Sequence, residues 1–304
     1  MSYEVQSGLR LTPKRWFLGV EQLIRPIWRS FLFVVLAVIL LYLITGAIRG
    51  LGIGVDHPMR FPVTYAASSA GLLLQTWFLL TVLDRRSFRA AGLWFYSGWG
   101  KEALWGFGLG AGLMIGVTAV LAATGSVRFA LGGGAWPQLL GGVATLGGIL
   151  VLAAAFEEIL FRGYPFQRLV DSIGPVGATA VFASLFGLGH LGNPGATPLS
   201  TANTVLAGVL LAAAYLKTRA LWLPIGLHWA WNFMMGPVLG LPVSGIEFPR
   251  KLLHAEISGP AWWSGGVYGP EGGLALTAFC AALTIWLART RRISPSPAMK
   301  EVLK

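Results

Sequence analysis

Apolar positions along this chain run together in long blocks instead of alternating, and polar residues are confined to short intervals between the blocks. A membrane span needs about 20 mostly apolar residues to cross roughly 30 Å of hydrocarbon. Eight blocks meet or approach that length, at about 31–48, 65–83, 103–124, 138–160, 174–191, 202–216, 220–237 and 272–288. The pattern predicts an all-α fold, a polytopic transmembrane helical bundle of about eight spans. Basic residues set its direction, because cytoplasmic loops collect Lys and Arg. With the amino terminus in the cytoplasm, all but five of the 23 Lys and Arg residues fall on the inner side; Arg49, Arg60, Arg128, Arg250 and Lys251 fall outside. An even number of spans then places both termini in the cytoplasm.

Composition strengthens this reading. The 304 residues are 55% hydrophobic and 12% charged, with a mean hydropathy of +0.67, whereas soluble domains carry roughly 25% charged residues. A formal charge of +11 would suit nucleic acid, but the cations sit between apolar blocks, where anionic headgroups meet them. The expected partner is therefore the lipid bilayer, with no nucleic acid. A single cysteine, Cys280, lies in an apolar block, which excludes an intrachain disulfide and a CxxC motif. The first block starts only near Phe31, behind Arg10, Lys14, Arg15, Arg25 and Arg29, too late for a cleaved signal, so it is expected to be a retained span.

The expected organisation is a basic amphipathic cytoplasmic leader at 1–30, a single membrane-embedded domain at 31–288 and a basic cytoplasmic tail at 289–304. The stretch Ser294 to Lys304, with Pro295 and Pro297, is expected to be disordered. Gly106, Gly108, Gly110 and Gly112 are expected to let helices approach closely. A Gly/Pro/aromatic loop from Trp262 to Gly273 precedes the last span.

Ten of the twelve acidic residues fall in leader, loops or tail, while Glu157 and Glu158 interrupt the apolar run Gly148 to Phe161. An ionisable side chain at membrane depth costs at least about 2.5 kcal/mol and marks function by default. Neighbouring helical side chains diverge by about 100°, so the two carboxylates cannot share a direction. Arg162 follows Glu158 by four residues, the spacing of a helical ion pair with the acid on the favourable side. That pairing leaves Glu157 free for chemistry; the competing reading joins all three in a buried charge network that holds helices together. Phe186 and His190 share a helical face by the same spacing, as do His228 and Asn232. Alone, His190 would more often be a hydrogen-bonded core residue. His57 and His254 fall in outer loops and are expected to be solvated.

In a hairpin turning near Ile173 and Gly174, Glu157 and His190 stand at equal depth, less deep where Tyr164-Pro165 bends the chain. His228, roughly ten residues beyond the turn at Thr218 and Arg219, approaches the same level. A carboxylate beside two imidazoles can draw a proton from water for attack on a carbonyl, while a histidine or the Asn232 amide stabilises the oxyanion. The set Glu157, His190 and His228 could equally hold Zn²⁺ with a position open for water. Sequence alone leaves both chemistries open.

Glu157-Glu158-xxx-Arg162, Phe186-xxx-His190 and His228-xxx-Asn232, in this order, resemble the three motifs of the CAAX prenyl protease type II family, also called the CPBP (CAAX protease and bacteriocin-processing) or Abi-like intramembrane protease family. The resemblance covers about residues 140–237, including the stretch His190 to Gly195, and leaves out the first three spans and the loop from 238 to 272. It implies that Glu157 activates water and that His190 helps to hold it. It further implies that His228 and Asn232 bind the oxyanion, with Glu158, Arg162 and Phe186 supporting the site. A glutamate-activated mechanism with no required metal is the preferred expectation, beside the metalloprotease alternative with one Zn²⁺.

The apolar blocks and Gly/Trp-rich make-up are compatible with a multi-pass protein of the cell (inner) membrane, and the resemblance implies that it hydrolyses membrane-associated, CAAX-type peptide substrates, with the cavity opening to the cytoplasm. Two rivals stand against it. A bacteriocin-immunity or other binding protein would use the same pocket without cutting, and a proton-coupled transporter would use Glu157 and Glu158 as ion sites. The transporter predicts inverted repeats or paired broken helices, and the sequence displays neither.

Overall fold

A computed structural model describes residues 24–133 and 135–302. The leader positions 1–23, with Arg10, Lys14 and Arg15, and the terminal Lys304 lie outside the described residues. Helices dominate, as lipid demands, because only helices or closed barrels satisfy every backbone group without water. In chain order they are α1 (Pro26–Gly50), α2 (Arg60–Val82), α3 (Trp99–Ala123), α4 (Trp136–Arg162), α5 (Tyr164–Gly189), α6 (Pro198–Thr218), α7 (Trp222–Phe233), α8 (Leu274–Arg289) and α9 (Pro297–Val302). Among the described residues five helical stretches are long and apolar enough to cross a membrane by length and composition, and one of them is the 54-residue run Trp136–Gly189; α8 is a shorter apolar helix. Exposed Val38, Ile39, Tyr42 and Leu43 on α1 and Leu74, Trp77 and Phe78 on α2 present the outward apolar surface that acyl chains require.

The structure departs from the sequence expectation in five places. The first helix begins at Pro26 instead of Phe31, since a proline at the first helical position loses no hydrogen bond. The chain breaks at Gly163 (ψ −140°) ahead of Pro165, and α5 then divides at Gly174 (φ 78°), so residues 164–173 form a helical segment of their own. A two-stranded antiparallel sheet joins β1 (Val127–Leu131) to β2 (Leu253–Ile257), and His254 lies on it, exposed, instead of in a loop. The stretch expected to be disordered forms α9, whose Met299 is buried against Tyr96 and Ala220. The loop before α8 is a series of tight helical turns with buried Tyr268 and Glu271.

Successive helices carry the chain back and forth between two poles, and cross-connections identify each. At one pole Asp84 pairs with Arg29 and Arg168 and accepts a hydrogen bond from the Tyr164 hydroxyl. There too the Leu221 amide donates to Gly92, the Trp222 indole to Trp94 and Lys217 to Thr290. At the other pole the sheet ties 127–131 to 253–257, the Gly245 amide donates to Tyr268, and Asn203 donates to the carbonyls of Glu271 and Gly273.

The closest helix contact runs along α3 and α7. A Cβ on Gly106 would stand 2.1 Å from the Leu223 carbonyl oxygen, one on Gly110 2.2 Å from that of Leu227, and one on Gly226 2.2 Å from that of Ala103. Gly108 and Gly112 face open space, so the row of glycines works through alternate members only. Gly106→Leu is therefore expected to cost at least about 1–3 kcal/mol through forced separation of α3 from α7, and Gly108→Leu no more than about 0.5 kcal/mol. Thermal unfolding of the two purified variants in detergent measures the difference.

Candidate active site

Glu157 and Glu158 lie in the last two turns of α4 and point apart, as a helix requires of neighbours. Glu158 is fully buried, and its Oε1 accepts hydrogen bonds from Arg162 Nη1 at 3.0 Å and from His228 Nδ1 at 2.8 Å. Arg162 is buried as well and donates Nη2 to the Gly208 carbonyl at 3.2 Å, while its guanidinium lies 4.5 Å from the centre of the Phe186 ring. Both charges are thus neutralised within apolar surroundings, the condition under which buried ions are tolerated. Arg162 links α4 to α6, and Glu158 links α4 to α7.

Because the carboxylate engages Nδ1 of His228, the other ring nitrogen is left for the cavity. Nε2 faces Glu157 Oε2 at 3.8 Å. That oxygen is buried and has no hydrogen-bond partner among the described residues, although the Glu157 side chain as a whole is 22% exposed. The two adjacent carboxylates therefore have distinct surroundings: one is locked in an ion pair, the other lies open to a cavity of about 590 Å³.

The cavity gathers Glu157, His190, His228 and Asn232 on its wall with Phe186 between them. His190 caps the end of α5, and its Nδ1 meets the Phe186 carbonyl at 2.8 Å, which turns Nε2 away from the helix. Phe186 contacts both histidines, with ring centres 4.8 Å from His190 and 6.0 Å from His228. Glu157, His190 and His228 do not close into a metal site: among the described residues no group of three or more His, Cys, Asp or Glu could hold a metal ion. Nδ1 of each histidine is engaged, by the Phe186 carbonyl and by Glu158, which leaves Nε2 of each as the nitrogen available to water, substrate or a metal. His57 is exposed in the connection between α1 and α2, and neither it nor His254 lines the cavity.

Tyr65 and Glu271 are among the lining residues that escaped the sequence reading. Tyr65 of α2 packs against Phe156 with ring centres 5.8 Å apart. Glu271, in the turns before α8, accepts from the Trp231 indole at 2.8 Å, the Ser244 amide at 2.6 Å and the Ser244 hydroxyl at 2.7 Å. Burial raises the pKa of Glu271 above the ordinary carboxylate value, while the Ser244 donors, the charge of His190 and the Trp231 indole pull against that rise. A lone acid in the Gly/Pro/aromatic stretch 262–273 was the available sequence signal. Glu271 ties α7, which carries His228, to the segment around Ser244 that rims the cavity.

Residues 139–234 match the family described as Type II CAAX prenyl endopeptidase Rce1-like. The match spans Glu157, Glu158, Arg162, Phe186, His190, His228 and Asn232, and excludes Tyr65, Ser244 and Glu271. Neither the curated proteins nor the solved structures gave a match.

Arg162→Met is expected to destabilise the protein by about 3–5 kcal/mol, because it strands the Glu158 charge in the interior. Adding Glu158→Met to that variant should recover part of the loss. Thermal unfolding in detergent distinguishes this from simple loss of packing, for which the second substitution would only add damage.

Proposed function

From this chain's membership of the CAAX protease family, carried by residues 139–234, we propose an intramembrane endopeptidase in which Glu157 activates water. The observation that supports it most directly is Glu157 Oε2, free of hydrogen-bond partners among the described residues, facing His228 Nε2 at 3.8 Å in a shared cavity. A peptide lies along this cavity, with the apolar side chains Leu146, Ile149, Leu150 and Ala153 of α4 and Phe61 and Tyr65 of α2 against its apolar parts. Such apolar lining suits a membrane-associated substrate, including one that carries a prenyl group.

Glu157 takes a proton from water held between it and His190, and the water oxygen bonds to the carbonyl carbon of the substrate. Negative charge moves to the carbonyl oxygen, where His228 Nε2–H and the Asn232 amide donate hydrogen bonds. The tetrahedral adduct collapses with cleavage of the C–N bond, and Glu157 returns its proton to the departing nitrogen. Water and peptide are consumed, and a carboxylic acid and an amine are formed. Glu158 stays paired with Arg162 and holds His228 by Nδ1, which keeps Nε2 directed at the reacting carbonyl. No step is assigned to a metal.

Purified protein and its Glu157→Gln variant, assayed on a panel of prenylated and unmodified membrane peptides, test the reading. Cleavage by the wild type is expected to fall at least about 10²–10⁴-fold in Glu157→Gln and about 10²–10³-fold in Asn232→Ala, with chelators without effect. Wild-type cleavage that Glu157→Gln retains would remove Glu157 from its role, and chelator inhibition reversed by Zn²⁺ would replace the metal-free mechanism.

A further inference from the structure

The exposed lining residues of the cavity lie on one side of it. Pro58, Phe61, Gly189, Ile246, Glu247 and Pro249 are the lining residues that reach the surface. All six belong to helix ends and connections at the pole that carries the two-stranded sheet, where Asn193 and Ser244 also line the wall. Toward the opposite pole the cavity is sealed. Arg162 fills the space beneath Phe186, hydrogen-bonded to Gly208 and Glu158, and fully buried Tyr164, Phe166 and Tyr215 close the layer below.

Charge is distributed with the reverse asymmetry. The sealed pole carries Arg25, Arg29, Arg85, Arg86, Arg89, Lys101, Arg168, Lys217, Arg219, Arg289, Arg291, Arg292 and Lys300, and the hydrogen bonds and ion pairs that join 29, 84, 92, 94, 164, 217, 221 and 290 hold these segments together. The open pole has Arg49, Arg60, Arg128, Arg250 and Lys251, and Lys251 is paired with Glu247 at 3.3 Å. Short connections rich in Lys and Arg stay in the cytoplasm during insertion, and this bias sets the orientation of the whole bundle. Every connection at the sealed pole is short enough for that bias to act. The anionic lipid of the cytoplasmic leaflet adds attraction of the same sign.

We infer that the catalytic cavity is entered from the side of the membrane away from the cytoplasm, and that it takes extracytoplasmic segments of membrane-anchored polypeptides. The direction of access follows from the mouth and the charges alone; the nature of the occupant rests on the protease reading. This is opposite to the cytoplasmic opening implied by the family resemblance.

Single-cysteine variants of the full chain test the inference. Cys280 is buried and is replaced by Ser; one cysteine is then placed at Glu247 in the lip, or at Arg291 at the exposed opposite pole. A membrane-impermeant maleimide is applied to intact cells or spheroplasts and, separately, to inverted membrane vesicles. Glu247→Cys should label at least tenfold faster in the intact preparation and Arg291→Cys tenfold faster in inverted vesicles. Labelling of Glu247→Cys from the cytoplasmic face, equally from both faces or from neither overturns the proposed access.

The occupant is tested with a peptide that the purified protein cleaves. Supplied outside intact spheroplasts it should be cut, and cleavage confined to inverted vesicles would overturn the assignment of substrate. Should the purified protein cut nothing, the protease reading fails while the labelling result still decides the direction of access.

Discussion

The site depends on one buried carboxylate. Glu158 accepts from Arg162 on its own helix and from His228 on α7, and it does so with no exposure to solvent. Each partner would be costly alone in an apolar interior, and together they offset one another's charge, although Glu158 Oε2 has no hydrogen-bond partner among the described residues. The consequences spread outward from this junction. Arg162 reaches the Gly208 carbonyl and fixes α6, Phe186 rests on the guanidinium and meets both histidines, and His228 is held by one ring nitrogen with the other toward Glu157. Helical geometry does the remaining work, since rotation of one residue turns the adjacent carboxylate into the cavity.

Such a junction requires α7 to be held at a set height and distance, and glycine supplies this. Gly106 and Gly110 on α3 meet the backbone of α7, while Gly226 on α7 meets that of α3. Contact between backbones leaves little freedom for sliding, so His228 and Asn232 are presented from a rigid support. On the far side Glu271 and Asn203 bind the turns before α8 to α7, to α6 and to the Ser244 segment. The rim of the cavity is therefore part of the same hydrogen-bonded assembly as its floor, although it lies outside the segment that matches the family.

Sealing and charge follow one logic. Burying Arg162 at the bottom of the cavity closes that end with a paired cation, aromatic rings and tightly packed core, and most cations among the described residues gather beyond it. The open end carries instead a small sheet, tight turns and a few mostly exposed polar residues. A membrane-embedded hydrolytic site needs both features, because water and a peptide must enter while the bilayer remains closed.

Much of this was legible along the chain. Long apolar blocks specify spanning helices because lipid accepts no unpaired backbone; the all-α bundle was legible, although among the described residues five helical stretches are long and apolar enough to span, and the blocks at 220–237 and 272–288 fall on the shorter α7 and α8. The pairing of Glu158 with Arg162 was legible too, since an i to i+4 ion pair is a local property of one helix. What lay beyond the sequence was long-range. Nothing in the pattern joined β1 to β2, paired Asp84 with Arg29 and Arg168, ordered the tail around Met299 or moved Glu271 from a loop into the cavity wall. These contacts join residues tens to more than a hundred positions apart, and no periodicity records them. The sequence by itself determined the apolar helices and the residue types they carry, because those follow from local hydrogen bonding and transfer from water to lipid. Only the tertiary structure decided which nitrogen of His228 faces Glu157 and at which pole the cavity opens, because both depend on how separate helices pack.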